Sequence, residues 1–219
     1  MSNPTVNAMM NPMNMFLNPG NSGDCGCNGP TRHKVPRMPI MIDQAKANPL
    51  DVRAFVGKPL HTVVDADAID GKMLQIFTSN DTAQAFAKSS FASMKIKRPA
   101  VTPQATPLTS GPLGYIDLFE HIDFAGCEWH VPETTGNGTV GRYADLWCGI
   151  LWWAKNADNR VSSADVSVSA DLVVFFDLEG INLIGGSATL LVPGNSWIPS
   201  FVPFGWNDRI SSHLLMYTS

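Results

Sequence analysis

A six-residue motif occurs twice in the C-terminal half of this 219-residue chain, with three identical positions, and it restricts the possible folds more than any other feature. Asp158-Asn-Arg-Val-Ser-Ser163 recurs 49 residues later as Asn207-Asp-Arg-Ile-Ser-Ser212. Each copy follows an aromatic stretch, Trp152-Trp153 before the first and Phe204-Gly-Trp206 before the second, and each leads into a β-type run. A repeat with this period indicates two copies of one supersecondary unit.

From Leu113 onward, short apolar runs alternate with turn-forming residues, and helical periodicity is lost. The predicted strands are Tyr115–Phe119, Glu128–Val131, Val161–Val168, Leu172–Phe176, Ala188–Val192 and Ile210–Tyr217. Short strands separated by turn signals are typical of an antiparallel β-sandwich.

A hairpin is predicted ahead of each hexapeptide. Phe119 is followed seven residues later by Gly126, and Phe124 stands two residues before that glycine. Glycine adopts backbone conformations that other residues resist, so the chain can fold back there while the aromatic rings cover the turn. The stretch from Phe175 to Gly186 is a longer version of the same hairpin.

Together, the hairpin and the hexapeptide resemble the βγ-crystallin superfamily, whose Greek-key motif combines aromatic-x6-Gly with N/D-N/D-x-x-S/T-S. The first motif, residues 115–168, matches both parts. The second motif, residues 172–217, matches the hexapeptide fully and the hairpin loosely. The resemblance implies a mainly β protein with a C-terminal two-Greek-key βγ-crystallin-like sandwich.

The hexapeptides offer an acid or amide, a hydroxyl and free turn carbonyls, and Ca²⁺ prefers six to eight oxygen ligands. The resemblance implies that the two motifs exchange loops, so that both hold each ion. The implied side-chain ligands are Asn159, Ser162, Asp208 and Ser211, and the implied main-chain oxygens are those of Glu120, Arg160, Asp177 and Arg209.

Two features predict weak rather than tight calcium binding. Arg160 and Arg209 place a cation beside each proposed ion, and Asn159 has no formal charge. Both reduce the electrostatic attraction for Ca²⁺. The alternative is that the Ser-Ser and Asn/Asp residues only cap the turns and fix the hairpins, without binding a metal.

The sequence before residue 113 divides into three segments. Residues 1–40 are predicted to be an extended arm, residues 41–98 a small α/β unit, and residues 99–112 a semi-rigid linker with four prolines. Residues 113–219 then form the βγ-crystallin-like domain. Within the α/β unit, Leu60–Val64 and Met73–Phe77 are predicted strands, Asp70-Gly71 is a turn signal, and a helix begins at Ser79 or Asn80.

The first twenty residues of the arm contain five Met, five Asn and three Pro, and no charged residue. Such a segment has no core of its own, and methionine adapts to irregular surfaces. We therefore expect the arm to dock on another protein, giving a homo-oligomer or a larger assembly. The alternative is a flexible terminus that binds no partner.

Composition excludes several classes of protein. The 15 basic and 19 acidic residues give a net charge of −4, which does not favour nucleic-acid binding. The sequence contains no stretch of 18 apolar residues, so no membrane span is predicted. The first charged residue is Asp24, so a secretory signal with a basic start is not expected. The expectation is synthesis in the cytoplasm, with incorporation into a surface, coat or particle left open.

An enzyme is not expected, because the sequence contains no Gly-rich phosphate loop, no HExxH and no GxSxG. The five histidines, His33, His61, His121, His130 and His213, lack metal-ligand spacing. The four cysteines, Cys25, Cys27, Cys127 and Cys148, allow three pairings. The last two fall in one predicted β unit and could meet across it.

These observations favour a non-enzymatic structural or protective protein, similar to microbial spore-coat crystallins. Three other functions stay open. They are a coat or decoration subunit of a larger particle such as a virion, a proteinase inhibitor using the loop at residues 132–139, and a carbohydrate-binding module using the tryptophans. The tryptophans are interpreted first as core and corner residues.

Overall fold

β-strands make up most of the regular structure in the computed structural model, which describes residues 33–94, 114–133, 140–142, 147–148, 155–178 and 187–217. In the first half, the strands are β1 (Ile40–Ile42), β2 (Ala45–Ala47), β3 (His61–Val63) and β4 (Leu74–Phe77). The helices are α1 (Ala66–Ile69) and α2 (Asn80–Ser93), and a 3-10 helix spans Pro49–Phe55.

The described residues of the second half contain strands β5 to β12 and two short 3-10 helices. The strands are β5 (Tyr115–His121), β6 (Ala125–Pro132), β7 (Val140–Arg142), β8 (Trp147–Cys148), β9 (Lys155–Asn156), β10 (Ser163–Phe176), β11 (Thr189–Ile198) and β12 (Ser212–Met216). The 3-10 helices are Ile122–Phe124 and Val202–Phe204. Each predicted strand of this half overlaps an observed one, and two of them join into the single long strand β10.

Two four-strand arrays form the C-terminal part. Residues 163–167 of β10 pair with β5 on one side and with residues 195–198 of β11 on the other, and β6 pairs with β5. Residues 172–176 of β10 pair with residues 189–193 of β11 and with β12, which pairs with β7. The pairing shifts register between Ser167 and Leu172, where β10 passes from the first array to the second.

Each array contains three strands from one repeat and one strand from the other. The first array takes the end of β11 from the second repeat, and the second array takes β7 from the first repeat. The fourth strand of each repeat returns beside its first strand, which is the Greek-key order. The predicted fold class, a mainly β protein with a two-Greek-key sandwich, is confirmed by these pairings.

The strands predicted as a separate α/β unit belong to the same sheet. β3 pairs in parallel with the start of β11, β4 is antiparallel to β3, and β1 and β2 continue the sheet outward. Helix α2 begins as predicted, since the Ser79 side chain accepts the N–H of Thr82 at 3.4 Å. The turn predicted after β3 contains α1, which Asp65 caps by accepting the N–H of Ala68 at 3.0 Å.

Two hydrophobic clusters cover opposite faces of the second array. Val173 and Phe175 point into the main core between the arrays, with Ile116 and Leu118 of β5 and Trp206. The alternate residues of β10 and β11 lie under α2, and these are Leu172, Val174, Phe176 and Leu191, packed with Ala83 and Ala87. Because both faces are buried, the end of β10 reads as an unbroken apolar run.

A disulfide joins Cys127 of β6 to Cys148 of β8, with their Cα atoms 5.8 Å apart. The structure therefore selects one of the pairings that the sequence left open. Cys25 and Cys27 lie outside the described residues, as do Trp152 and Trp153, most of the arm, the linker and most of the loop at residues 132–139.

Candidate cation site at the paired hexapeptides

The two hexapeptides face each other and exchange main-chain hydrogen bonds. The Asn159 N–H donates to the Ile210 carbonyl at 3.0 Å, and the Asp208 N–H donates to the Val161 carbonyl at 3.1 Å. Asn159 and Asp208 have φ angles of 53° and 52°, a left-handed conformation that Asn and Asp tolerate better than most residues. The contacts thus follow the internal symmetry of the sequence repeat.

The paired serines tie each hexapeptide to the hairpin of its own repeat. The Ser162 N–H donates to the Phe119 carbonyl at 2.9 Å, and the Ser211 N–H donates to the Phe176 carbonyl at 2.8 Å. The second serines do the same through their hydroxyls, because Ser163 Oγ donates to the His121 carbonyl and Ser212 Oγ to the Leu178 carbonyl, at 2.7 and 2.9 Å. These contacts explain the serines without a metal.

The first hairpin has the predicted geometry. Phe119 and Phe124 stack edge to face with ring centroids 5.4 Å apart. Gly126 has a φ of 86°, and a Cβ atom there would lie 2.8 Å from the His121 ring. A side chain at this position would therefore be strained by both the backbone and its neighbour. Residues 179–186 of the second hairpin lie outside the described residues.

Ser162 and Asp208, which belong to different repeats, lie in contact. Ser162 Oγ donates to Asp208 Oδ1 at 3.3 Å, and about half of the Asp208 side chain is exposed. We call this pair the first candidate site. Asp208 Oδ2 lies 3.7 Å from the ammonium of Lys34, whose position near the hexapeptide the sequence did not predict.

The second candidate site, formed by Asp177, Arg209 and Ser211, already contains a buried cation. The Arg209 guanidinium donates to Asp177 Oδ2 at 3.1 Å and to the Gly205 carbonyl at 3.2 Å, and lies 4.5 Å from the centroid of a Trp206 ring. Burial raises the pKa of Asp177, and the adjacent guanidinium opposes that rise. The guanidinium supplies the positive charge that a metal ion would bring, so these residues do not fit Ca²⁺.

The remaining predicted ligands lie at the surface or on the first hairpin. Asn159 and Arg160 are exposed, and the Asn159 amide donates to Asp158 Oδ1 at 3.0 Å. The Glu120 carboxylate accepts the N–H of Cys127 at 3.5 Å, so its side chain is directed back into the hairpin. Within the described ranges, no group of three His, Cys, Asp or Glu side chains could hold a metal.

A second feature that the sequence did not reveal is a buried carboxylate at the crossover between the arrays. Glu133 accepts hydrogen bonds from the N–H groups of Gly114, Ser169 and Ala170 and from the hydroxyls of Ser169 and Tyr217. Burial would raise the pKa of Glu133, but these hydrogen bonds outweigh it and lower the pKa. Its partners are 19 to 84 residues away, so no local motif could identify them.

The tryptophans with described side chains fit the core interpretation in two of three cases. Trp129 and Trp206 are almost fully buried. Trp197 is partly exposed and packs on Phe124, with ring centroids 4.1 Å apart. In the described part of the chain, no helix is long and apolar enough to cross a bilayer.

Comparison with known proteins gives one structural similarity. No protein-family model and no curated protein matches the sequence. The chain is similar to a solved structure described as "Evolution of the eye lens beta-gamma-crystallin domain fold", with 18% identity, 51% of this chain and 95% of that chain covered, and a TM-score of 0.35. The class stated here, a two-Greek-key β-sandwich with exchanged strands, rests on the observed strand pairing.

Proposed function

We propose that this chain is a non-enzymatic structural or protective protein whose two-Greek-key domain binds one Ca²⁺ weakly at the first candidate site. The observation that supports the site is the contact of Ser162 Oγ with Asp208 Oδ1 across the two repeats. Similarity to microbial spore-coat crystallins remains part of this proposal and rests on the sequence motifs.

The chemistry of the first candidate site suits a hard cation. Asp208 supplies a half-exposed carboxylate and Ser162 a hydroxyl, both of which are oxygen ligands of the kind Ca²⁺ takes. The main-chain oxygens of Glu120 and Arg160 are the proposed additional ligands, with water completing the shell. One carboxylate gives little charge for a divalent ion, which is why the proposed affinity is weak.

Calcium is expected to stabilise the protein, because an ion that binds only the folded state adds its binding free energy to folding. At a hundredfold excess over Kd, the gain is about 2.7 kcal/mol. Ser162→Ala should abolish the rise in melting temperature, since it removes the hydroxyl while the Ser162 N–H keeps its bond to Phe119. Melting curves with and without millimolar Ca²⁺ measure the effect.

The matched control is Ser211→Ala, which makes the same change in the second candidate site. It should leave the calcium-dependent rise intact, because Arg209 occupies that site. A wild-type protein whose melting temperature does not respond to Ca²⁺ would refute the site. Equal loss of the response in both serine variants would contradict the proposal that only the first candidate site binds Ca²⁺.

We further propose that residues 1–40 join the protein to copies of itself or to a larger assembly. The structure anchors the end of this arm, because Pro36 and Met38 are buried and the Arg37 N–H donates to the Pro203 carbonyl at 2.8 Å. Deleting residues 1–30 should therefore leave the melting temperature unchanged but lower the particle mass measured by light scattering. A monomer both before and after deletion would contradict the proposal.

A further inference from the structure

The end of the arm crosses the second hexapeptide and places Lys34 beside Asp208. The Lys34 ammonium lies 3.7 Å from Asp208 Oδ2, and it also donates to the main-chain carbonyl of Asn207. The neighbouring His33 ring is 2.7 Å from the Lys58 carbonyl, and Arg37 is bonded to Pro203. The segment is thus held on both sides of Lys34.

We propose that Lys34 is a tethered cation that competes with Ca²⁺ for Asp208, so that ion binding displaces Lys34 and loosens the segment before Pro36. The inference rests on the calcium site of the proposed function and adds its regulation. Calcium binding would then control how firmly the arm is attached, because the Lys34 side chain supplies part of that attachment.

Charge and exposure support the competition. The carboxylate of Asp208 cannot neutralise an ammonium and a divalent ion together. The two cations would also repel each other if both lay beside Asp208. Both side chains of the Lys34–Asp208 pair are nearly half exposed, at 48% and 46%. An exposed pair of this kind is weak, so Lys34 can leave when a stronger cation arrives.

The contrast with Arg209 explains why only one site would be regulated. Arg209 also pairs with a carboxylate, that of Asp177, but both side chains are only 10% exposed. Arg209 is additionally held by Gly205 and Trp206, so it cannot leave without unpacking the core. Lys34 is held through its side chain by surface contacts alone. The displacement is limited to residues before Pro36, because Pro36 and Met38 are buried.

The experiment is a calorimetric Ca²⁺ titration of three full-length proteins, the wild type, Lys34→Met and Lys46→Met. Lys34→Met should bind Ca²⁺ about two- to fivefold more tightly, the range expected for removing one exposed ion pair. Lys46→Met is the control, since Lys46 is exposed on strand β2 at the far end of the sheet and should leave Kd unchanged.

Solution NMR of the His33 ring in the same proteins at constant pH tests displacement directly, because that ring lies 2.7 Å from the Lys58 carbonyl. Saturating Ca²⁺ should move the ring signals of the wild type toward those of an exposed histidine, whereas Lys34→Met should show the moved signals with or without the ion. If the wild type and Lys34→Met bind Ca²⁺ with equal affinity, the inference is wrong and the calcium site stands. If neither protein binds Ca²⁺, both the inference and the proposed function are wrong. Tighter binding without any change in the His33 signals would overturn the displacement.

Discussion

Replacing Arg209 with methionine is expected to lower the free energy of unfolding by about 3–5 kcal/mol, the usual cost of leaving a buried charge without its partner. The guanidinium lies 3.1 Å from Asp177 Oδ2, and the two side chains are 10% exposed. Within the described residues, the other carboxylate oxygen of Asp177 is buried and has no hydrogen-bond partner. Removing Arg209 therefore removes most of the compensation for this carboxylate.

The repeat itself provides the control. Arg160 occupies the same position of the first hexapeptide but is exposed, so Arg160→Met should change stability by less than about 0.5 kcal/mol. Urea unfolding followed by tryptophan fluorescence measures both variants. Adding Asp177→Asn to Arg209→Met should recover much of the loss, because the two residues act as a pair. Equal costs for the two arginine variants would contradict the assignment.

The two arginines occupy equivalent positions in the sequence repeat but different environments in the fold. The resemblance to βγ-crystallins implied that the two loops meet, and they do, through Asn159 and Asp208. Sequence alone gave Arg160 and Arg209 the same role, because each is the third residue of its copy. Their environments differ because Gly205 and Trp206 form a receptor for the second guanidinium. The surroundings of a residue, unlike its motif, depend on tertiary packing.

Other unpredicted features depend on contacts between distant parts of the chain. The turn, strand and capping signals of residues 60–94 are local, and they correctly predicted β3, β4 and α2. The parallel pairing of β3 with β11 joins residues more than 120 positions apart, and Lys34 reaches Asn207 across 173 positions. Local propensity contains no information about such pairings, so the α/β unit was predicted to stand apart.

The α/β unit covers two features of the second array, the edge of β11 and an outer apolar face. β3 covers the edge of β11, which would otherwise leave unpaired backbone groups available to another chain. Helix α2 covers the outer apolar face formed by Leu172, Val174 and Phe176. Without these elements, the second array would expose a hydrophobic face of the kind that promotes association. The unit therefore acts as a lid on one half of the sandwich.

Acidification from pH 7 to pH 4.5 is expected to destabilise the protein through His213. This side chain on β12 is fully buried opposite Phe175, and burial lowers its pKa to about 4 from an ordinary value of 6.5. Between these two values the unfolded chain binds a proton that the folded protein excludes. Stability is therefore fully present above pH 6.5 and falls as the pH approaches 4.

The expected size follows from the difference between the two pKa values. At about 1.36 kcal/mol per pKa unit, the loss of unfolding free energy amounts to about 3 kcal/mol over the full interval. Burial likewise lowers the pKa of His61 to about 4, so His61 adds to the acid sensitivity. Its Nδ1 lies 2.9 Å from Thr189 Oγ1.

The measurement is the free energy of unfolding in urea at half-unit steps between pH 7.5 and pH 4.5. His213→Phe keeps an aromatic ring between the arrays and removes the titration, so its profile should be flatter than that of the wild type by about 2–3 kcal/mol at the acid end. His121→Gln is the matched control for replacing a histidine at an exposed position, on the first hairpin. Parallel profiles for the wild type and His213→Phe would show that His213 takes up a proton in the folded protein as readily as in the unfolded chain, and the interior of the sandwich would then have to supply a counter-charge for it.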